Sequence, residues 1–95
     1  MLSEIGEILS KNNLTISIAE SCTGGAISSR ITTISGSSRY FLGSIVSYSN
    51  QSKIRDLNVD EESINNFSSV SKEVAIQMTR GVRNRFDSDI ALSIT

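Results

Sequence analysis

Apolar residues near the start of the chain recur at three- and four-residue spacings, and the pattern then changes to alternation. The first spacing predicts an amphipathic helix that ends at the asparagine pair 12–13. The β-branched segment Thr15–Ala19 alternates apolar with polar residues and predicts a strand. Helical spacing returns over Ala26–Ile34, so a strand, a Ser/Gly turn and a helix make the first half of a βαβ unit. The residues expected to face inward from the first helix are Leu2, Ile5, Ile8 and Leu9.

The second half of the chain continues these two patterns. Phe41–Ser49 predicts a second strand, and apolar residues on both of its faces favour a central place in the sheet. Asp89–Thr95 alternates again and predicts a third strand. Three helices are predicted between these strands. The first is Gln51–Asp56 after an Asn50 N-cap, and the second is a short helix that begins at Asp60-Glu61-Glu62. The third runs from the cap residue Ser71 to about Phe86, with Val74, Met78, Val82 and Phe86 facing inward.

This order of elements predicts a single α/β domain over residues 1–95. Parallel strands need helical crossovers, so we expect a parallel or mostly parallel sheet with helices on its faces and three visible strands. Such a sheet is narrow, and no capping element follows the strand Asp89–Thr95. We therefore expect either a partner that covers this strand or an incomplete domain.

Composition excludes several classes of function. The 95 residues carry a net charge of −1, which argues against nucleic-acid binding. Histidine is absent, so neither a Ser-His-Asp triad nor a His-ligated metal is available. One cysteine cannot form an internal disulfide, and no segment has the pattern of a signal peptide or a membrane span. We expect a cytoplasmic protein without a metal, a cofactor or a membrane partner.

A Ser/Gly element at residues 20–25 is the first candidate site. Ser21 lies where a parallel sheet places ligands, at the carboxyl end of a strand and before a helix. The amides of Thr23, Gly24 and Gly25 would be unpaired donors that could bind a phosphate or an oxyanion. The alternative is that Ser21 or Thr23 caps the helix and the glycines form a tight turn. Glu20 could bind a substrate hydroxyl or stabilise this turn.

A second polar cluster, Tyr48–Lys53, is expected at the same edge of the sheet. Without histidine, Lys53 is the candidate base for Ser21, and it could act only as a neutral amine. Tyr48 could orient that amine or relay a proton. The alternative is a solvated Lys53 and a half-buried Tyr48. The single thiol, Cys22, is expected to be packed rather than reactive, and we expect solvated roles for the acidic run 60–62 and for Arg80, Arg83 and Arg85.

Several ordered motifs together resemble a known family. They are A-E-S-C-T-G-G at 19–25, G-S-S-x-Y-F-L-G at 36–43, Y-S-N-x-x-K at 48–53, V-S-x-E-V-A at 70–75 and A-L-S-I-T at 91–95. At this spacing they resemble the C-terminal domain of the competence/damage-inducible protein CinA, a domain also found alone as nicotinamide mononucleotide deamidase. The resemblance covers nearly the whole chain.

The resemblance implies an amidohydrolase that converts nicotinamide mononucleotide to nicotinate mononucleotide and ammonia without a metal or cofactor. By motif position, Ser21 matches the nucleophile, Lys53 the general base and Tyr48 a supporting hydroxyl. It also implies a homo-oligomer, and a family domain that continues beyond residue 95 into a Gly-rich loop. The alternative is a catalytically silent module that binds a nucleotide or self-associates. The residues implied to line the substrate site are Thr23, Gly24, Gly25, Ser37 and Ser38.

Overall fold

Three parallel strands form the middle layer of the protein. A computed structural model describes all of residues 1–95. The strands are β1 (Ile16–Glu20), β2 (Phe41–Val46) and β3 (Ile90–Ile94). The helices are α1 (Leu2–Lys11), α2 (Ala26–Thr32), α3 (Asn50–Leu57), α4 (Glu61–Phe67) and α5 (Lys72–Phe86), with one 3-10 turn at Ser37–Arg39. The α/β fold with a parallel sheet is confirmed.

The strand order β2-β1-β3 makes β1 the central strand. The prediction that the second strand is central was wrong, because an edge strand can also carry apolar residues on both faces and leave some of them in solvent. Leu42 and Val46 of β2 are exposed in this way, whereas every residue of β1 after Ile16 is buried. The carboxyl ends of all three strands therefore meet at one edge, with the end of β1 in the middle.

One face of the sheet packs on α5, and α3 and α4 pack in turn on α5. Helix α5 begins as predicted at Ser71, whose hydroxyl accepts the amide of Val74. Of the predicted inward residues, Val74, Met78 and Val82 are fully buried against Ala19 and Leu57, and Phe86 is partly buried against the same core. The sequence spacing thus identified the main core correctly.

The other face of β1 packs on α1 and α2 through a smaller core. Its buried residues are Leu9, Ile18, Ile31 and Tyr40. The prediction that Ile5 and Ile8 face inward was wrong, since both are exposed and α1 turns Gly6 toward the ring of Tyr40 instead. A side chain at residue 6 would meet that ring, and of the predicted apolar stripe only Leu2 and Leu9 pack into this core.

Element boundaries differ from the sequence prediction by one to three residues at several ends. The hydroxyl of Ser49 accepts the amide of Ser52, which makes Ser49 the N-cap of α3 in place of Asn50. Asp60 caps α4 in the same way through the amide of Glu62. None of the helices combines the length and apolar character that crossing a membrane requires.

The contact between α3 and α5 gives a direct test of the fold. A Cβ atom at Gly81 would overlap the carbonyl oxygen of Leu57, which is part of the backbone and cannot rotate away. We expect Gly81→Ala to lower the free energy of unfolding by about 1–3 kcal/mol in urea denaturation. Asn84→Ala, at an exposed position of the same helix, is the control and should stay within about 0.5 kcal/mol. An unchanged Gly81→Ala variant would show that the two helices do not approach as described.

Candidate functional site

Ser21 is the first residue after the central strand. Its amide donates to the carbonyl of Ile94 at 2.9 Å, and its own carbonyl accepts the amide of Gly24 at 3.0 Å. The preceding carbonyl, that of Glu20, accepts the amide of Ser47 at 2.8 Å. The backbone on both sides of the serine is thus tied to β3 and to the end of β2, and the side chain is buried.

Lys53 supplies the second group of the site. It lies in the second turn of α3 and is only 2% exposed. Its Nζ donates to Ser21 Oγ at 3.1 Å and to the carbonyl oxygen of Tyr48 at 3.1 Å. No carboxylate pairs with this amine, and neither of the two salt bridges of the protein involves Lys53. Burial lowers the pKa of Lys53 and more than offsets the opposite influence of Cys22.

Glu20 forms a buried cap on α2. Its two carboxylate oxygens accept the amides of Gly25, Ile27 and Ser28 at 3.0, 3.1 and 2.8 Å, as well as the hydroxyl of Ser28. Desolvation alone would raise the pKa of Glu20, but these bonds outweigh it and lower the pKa to about 2. The nearby Thr23 hydroxyl also lowers the pKa of Glu20, although its position does not give it the geometry of a hydrogen bond. Of the two roles predicted for Glu20, the structure gives it the stabilisation of the turn.

This cap corrects the prediction that the amides of Gly24 and Gly25 are free. The first is bonded to Ser21 and the second to Glu20, so neither faces a ligand. The amides of Cys22 and Thr23 donate to no group of the chain and remain available. The Cys22 amide was missed by the sequence reasoning, although its place directly after Ser21 was a usable signal. The side chain of Cys22 is exposed, so its predicted packing was wrong.

Three other predicted residues lie apart from the Ser–Lys pair. The side chain of Tyr48 is 76% exposed, and only its carbonyl oxygen contacts Lys53. Ser37 and Ser38 lie in the 3-10 turn that precedes β2, at the amino edge of the sheet and opposite Ser21. A single chain therefore brings Ser21 and Lys53 together but does not bring these two serines to them.

The remaining charged groups form no second centre. No group of three or more Cys, Asp or Glu side chains is arranged to hold a metal ion. The acidic run predicted to begin a helix does so at the start of α4, and its three residues are exposed, as are Arg80, Arg83 and Arg85.

The protein belongs to the α/β class, and its parallel sheet carries a buried Ser–Lys pair at the carboxyl edge. Comparison with known families identifies it further, because the CinA C-terminal domain matches residues 1–95. The chain belongs to the CinA C-terminal domain family, which confirms the resemblance seen in the motifs.

Relatives and solved structures agree with this assignment. A CinA-like protein of Dictyoglomus thermophilum is 51% identical over 89 residues, which are 94% of this chain and 22% of that protein. A CinA-like protein of Endomicrobium trichonymphae is 50% identical over 95 residues, which are 100% of this chain and 22% of that protein. The chain thus spans about a fifth of the length of these relatives.

Crystal structures of the family share the whole fold described above. A CinA superfamily protein of Escherichia coli is 31% identical with a TM-score of 0.97, and the match covers 99% of this chain and 55% of that one. The competence/damage inducible protein CihA of Agrobacterium tumefaciens is 35% identical with a TM-score of 0.96, and it is covered to 57% by 99% of this chain. The chain therefore corresponds to just over half of each solved chain.

The buried amine makes stability depend on pH in a predictable direction. The folded protein releases the Lys53 proton at lower pH than the unfolded chain, in which the ordinary lysine pKa is about 10.4. Between these two pKa values the unfolded chain binds the extra proton, so stability rises with pH. We expect Lys53→Met to raise the free energy of unfolding at pH 7 by about 1–3 kcal/mol, with the gain shrinking as the pH is raised.

The control for this measurement is Lys72→Met, which removes an exposed lysine and should leave the pH dependence unchanged. A Lys53→Met variant that is less stable than the wild type at pH 7 would show that the hydrogen bonds of the ammonium outweigh its desolvation.

Proposed function

We propose that this chain carries the catalytic pair of an amidohydrolase that acts on the carboxamide of nicotinamide mononucleotide. The observation that carries the proposal is the buried Lys53 amine at 3.1 Å from Ser21 Oγ with no acidic partner. The choice of substrate rests on the motif resemblance, and the names of the relatives refer only to competence and damage induction. The proposed products are nicotinate mononucleotide and ammonia.

In this proposal Lys53 is the general base. A serine hydroxyl is a weak nucleophile until a neighbouring group takes its proton, and only a neutral amine can do so here. Burial favours the neutral amine because an ammonium loses its hydration in this site. The Tyr48 carbonyl accepts one N–H of the amine and so helps to direct its lone pair toward Ser21. The role of the Tyr48 hydroxyl as a supporting group stays a prediction. This hydroxyl is exposed, so it would contribute only when a bound substrate brings it to the site.

The remaining steps use the same two side chains and the free backbone amides. Ser21 Oγ attacks the carboxamide carbon, and the amides of Cys22 and Thr23 are the candidate donors for the resulting oxyanion. The Lys53 ammonium returns its proton to the leaving nitrogen, and ammonia departs from an acyl-serine. Water then attacks the ester with Lys53 again as the base, which releases the acid and restores Ser21.

Ammonia release from nicotinamide mononucleotide tests the proposal. We expect Ser21→Ala to reduce turnover to the uncatalysed background. Lys53→Met should lower kcat by about 10²–10⁴-fold, the usual contribution of a general base. Lys53→Arg should fail equally, because a guanidinium does not deprotonate in proteins. The wild-type rate should rise with pH through a midpoint below the ordinary lysine pKa.

Lys72→Met is the matched control at an exposed position away from the pair. Turnover in Lys53→Met equal to that of the wild type would remove Lys53 from the mechanism. Equal background rates in the wild type and in Ser21→Ala would contradict catalysis by this chain.

A second candidate function is self-association, the homo-oligomer implied by the motif resemblance. The edge strand β3 has a strand neighbour on one side only, and its Ile90 and Leu92 side chains are exposed. An open edge with apolar side chains favours pairing with another chain. Because the net charge of the chain is only −1, the electrostatic repulsion between two copies is small.

Sedimentation equilibrium tests this second candidate. We expect the wild type to associate in a concentration-dependent way and Leu92→Glu to be monomeric, because a carboxylate would be buried in the contact. Ile76→Glu, at an exposed apolar position on α5, is the control and should associate like the wild type. A wild type that stays monomeric at every concentration would exclude self-association.

A further inference from the structure

The residue just before the proposed nucleophile carries a charge that faces away from the Ser–Lys pair. Side chains alternate between the two faces of a strand, so Glu20 lies on the α2 side while Ser21 lies on the α3 side. The Glu20 carboxylate is fully buried, yet it contacts no cation. Its partners are the amide of the N-cap residue Gly25, the amides of Ile27 and Ser28 in the first turn of α2, and the hydroxyl of Ser28.

This carboxylate occupies the place that an external anion takes at many helix N-termini. The N-cap residue of α2, Gly25, has no side chain and cannot cap the helix itself. Glu20 provides the cap from the end of β1 and thereby closes the five-residue segment 21–25 between two fixed ends. Within this closed segment, the amides of Cys22 and Thr23 are the ones left without an internal acceptor.

We propose that Glu20 is a positioning residue, an internal anion that fixes the turn bearing Ser21 and aims the Cys22 and Thr23 amides at the reacting carbonyl. The proposal deepens the proposed function and rests on it. A shift of the turn by about 1 Å would separate these donors from the oxyanion and reduce the rate by up to ~10²-fold. It follows that the α2 N-terminus does not bind the phosphate of the substrate, because Glu20 already fills it.

Steady-state kinetics of Glu20→Gln test this role. The amide keeps the size of the side chain but can accept bonds at one oxygen only, and it places N–H donors against the amides of α2. We expect kcat to fall about 10–100-fold with KM within about twofold of the wild type, since the loss concerns the transition state. Glu7→Gln, at an exposed position of α1, is the matched control and should match the wild type.

A folded Glu20→Gln protein with wild-type kcat would overturn the proposal, as would a fall in kcat accompanied by an equal loss of substrate affinity. If this variant does not fold, Ser28→Ala decides, because it removes one bond and leaves the charge. A lower kcat at unchanged KM is then expected, and an unchanged kcat overturns the proposal.

Labelling by a fluorophosphonate separates this proposal from the choice of substrate. Ser21 Oγ forms a bond to phosphorus, fluoride leaves with the P–F bonding pair, and Lys53 takes the hydroxyl proton. If the wild type is labelled but does not hydrolyse nicotinamide mononucleotide, the substrate is wrong and the Glu20 role is judged by the labelling rate. Slower labelling of Glu20→Gln supports the role, and equal labelling overturns it.

Discussion

The contact between the Lys53 amine and the Ser21 hydroxyl is the interaction around which the carboxyl edge of the sheet is organised. The two atoms are 3.1 Å apart, and the lysine is buried without a carboxylate to balance its charge. Such a group opposes folding whenever it is protonated, so the surrounding structure must hold it in place. The packing of Leu57 of α3 against α5 and the N-cap of α3 at Ser49 provide that hold. A core built on α5 thus sustains a site that is unfavourable by itself.

The end of β1 divides two tasks between adjacent residues. Glu20 faces α2, and its ionised carboxylate accepts the backbone amides at the start of this helix, which no other side chain caps. Ser21 serves the layer that contains α3, where it meets Lys53. The division is possible because β1 is central, so both of its faces are covered and both residues are shielded from water. On an edge strand, at least one of these two residues would be exposed to water. The pKa of Lys53 would then lie closer to the ordinary lysine value.

Local patterns predicted the elements, the ordered motifs favoured Ser21 and Lys53 as a pair, and long-range geometry accounts for what both missed. The spacing of Val74, Met78 and Val82 was sufficient to place α5 on the sheet, since burial is repeated along one helical face. The order of the strands was not predictable, because β2 and β1 carry similar apolar runs and only the pairing distinguishes centre from edge. The Glu20 cap was also not predictable from the sequence. It requires the end of β1 and the start of α2 to come together, so that the carboxylate reaches amides five to eight residues further along the chain.

Titration of the Lys53 amine by NMR measures most directly whether burial beside Ser21 lowers its pKa. The chain has only three lysines, at positions 11, 53 and 72, so isotope-labelled lysine gives three signals, and Lys53→Met identifies the one of interest. We expect Lys53 to titrate at a distinctly lower pH than the ordinary lysine value of about 10.4, because burial lowers its pKa. A Lys53 signal that titrates at or above this ordinary value would contradict that expectation.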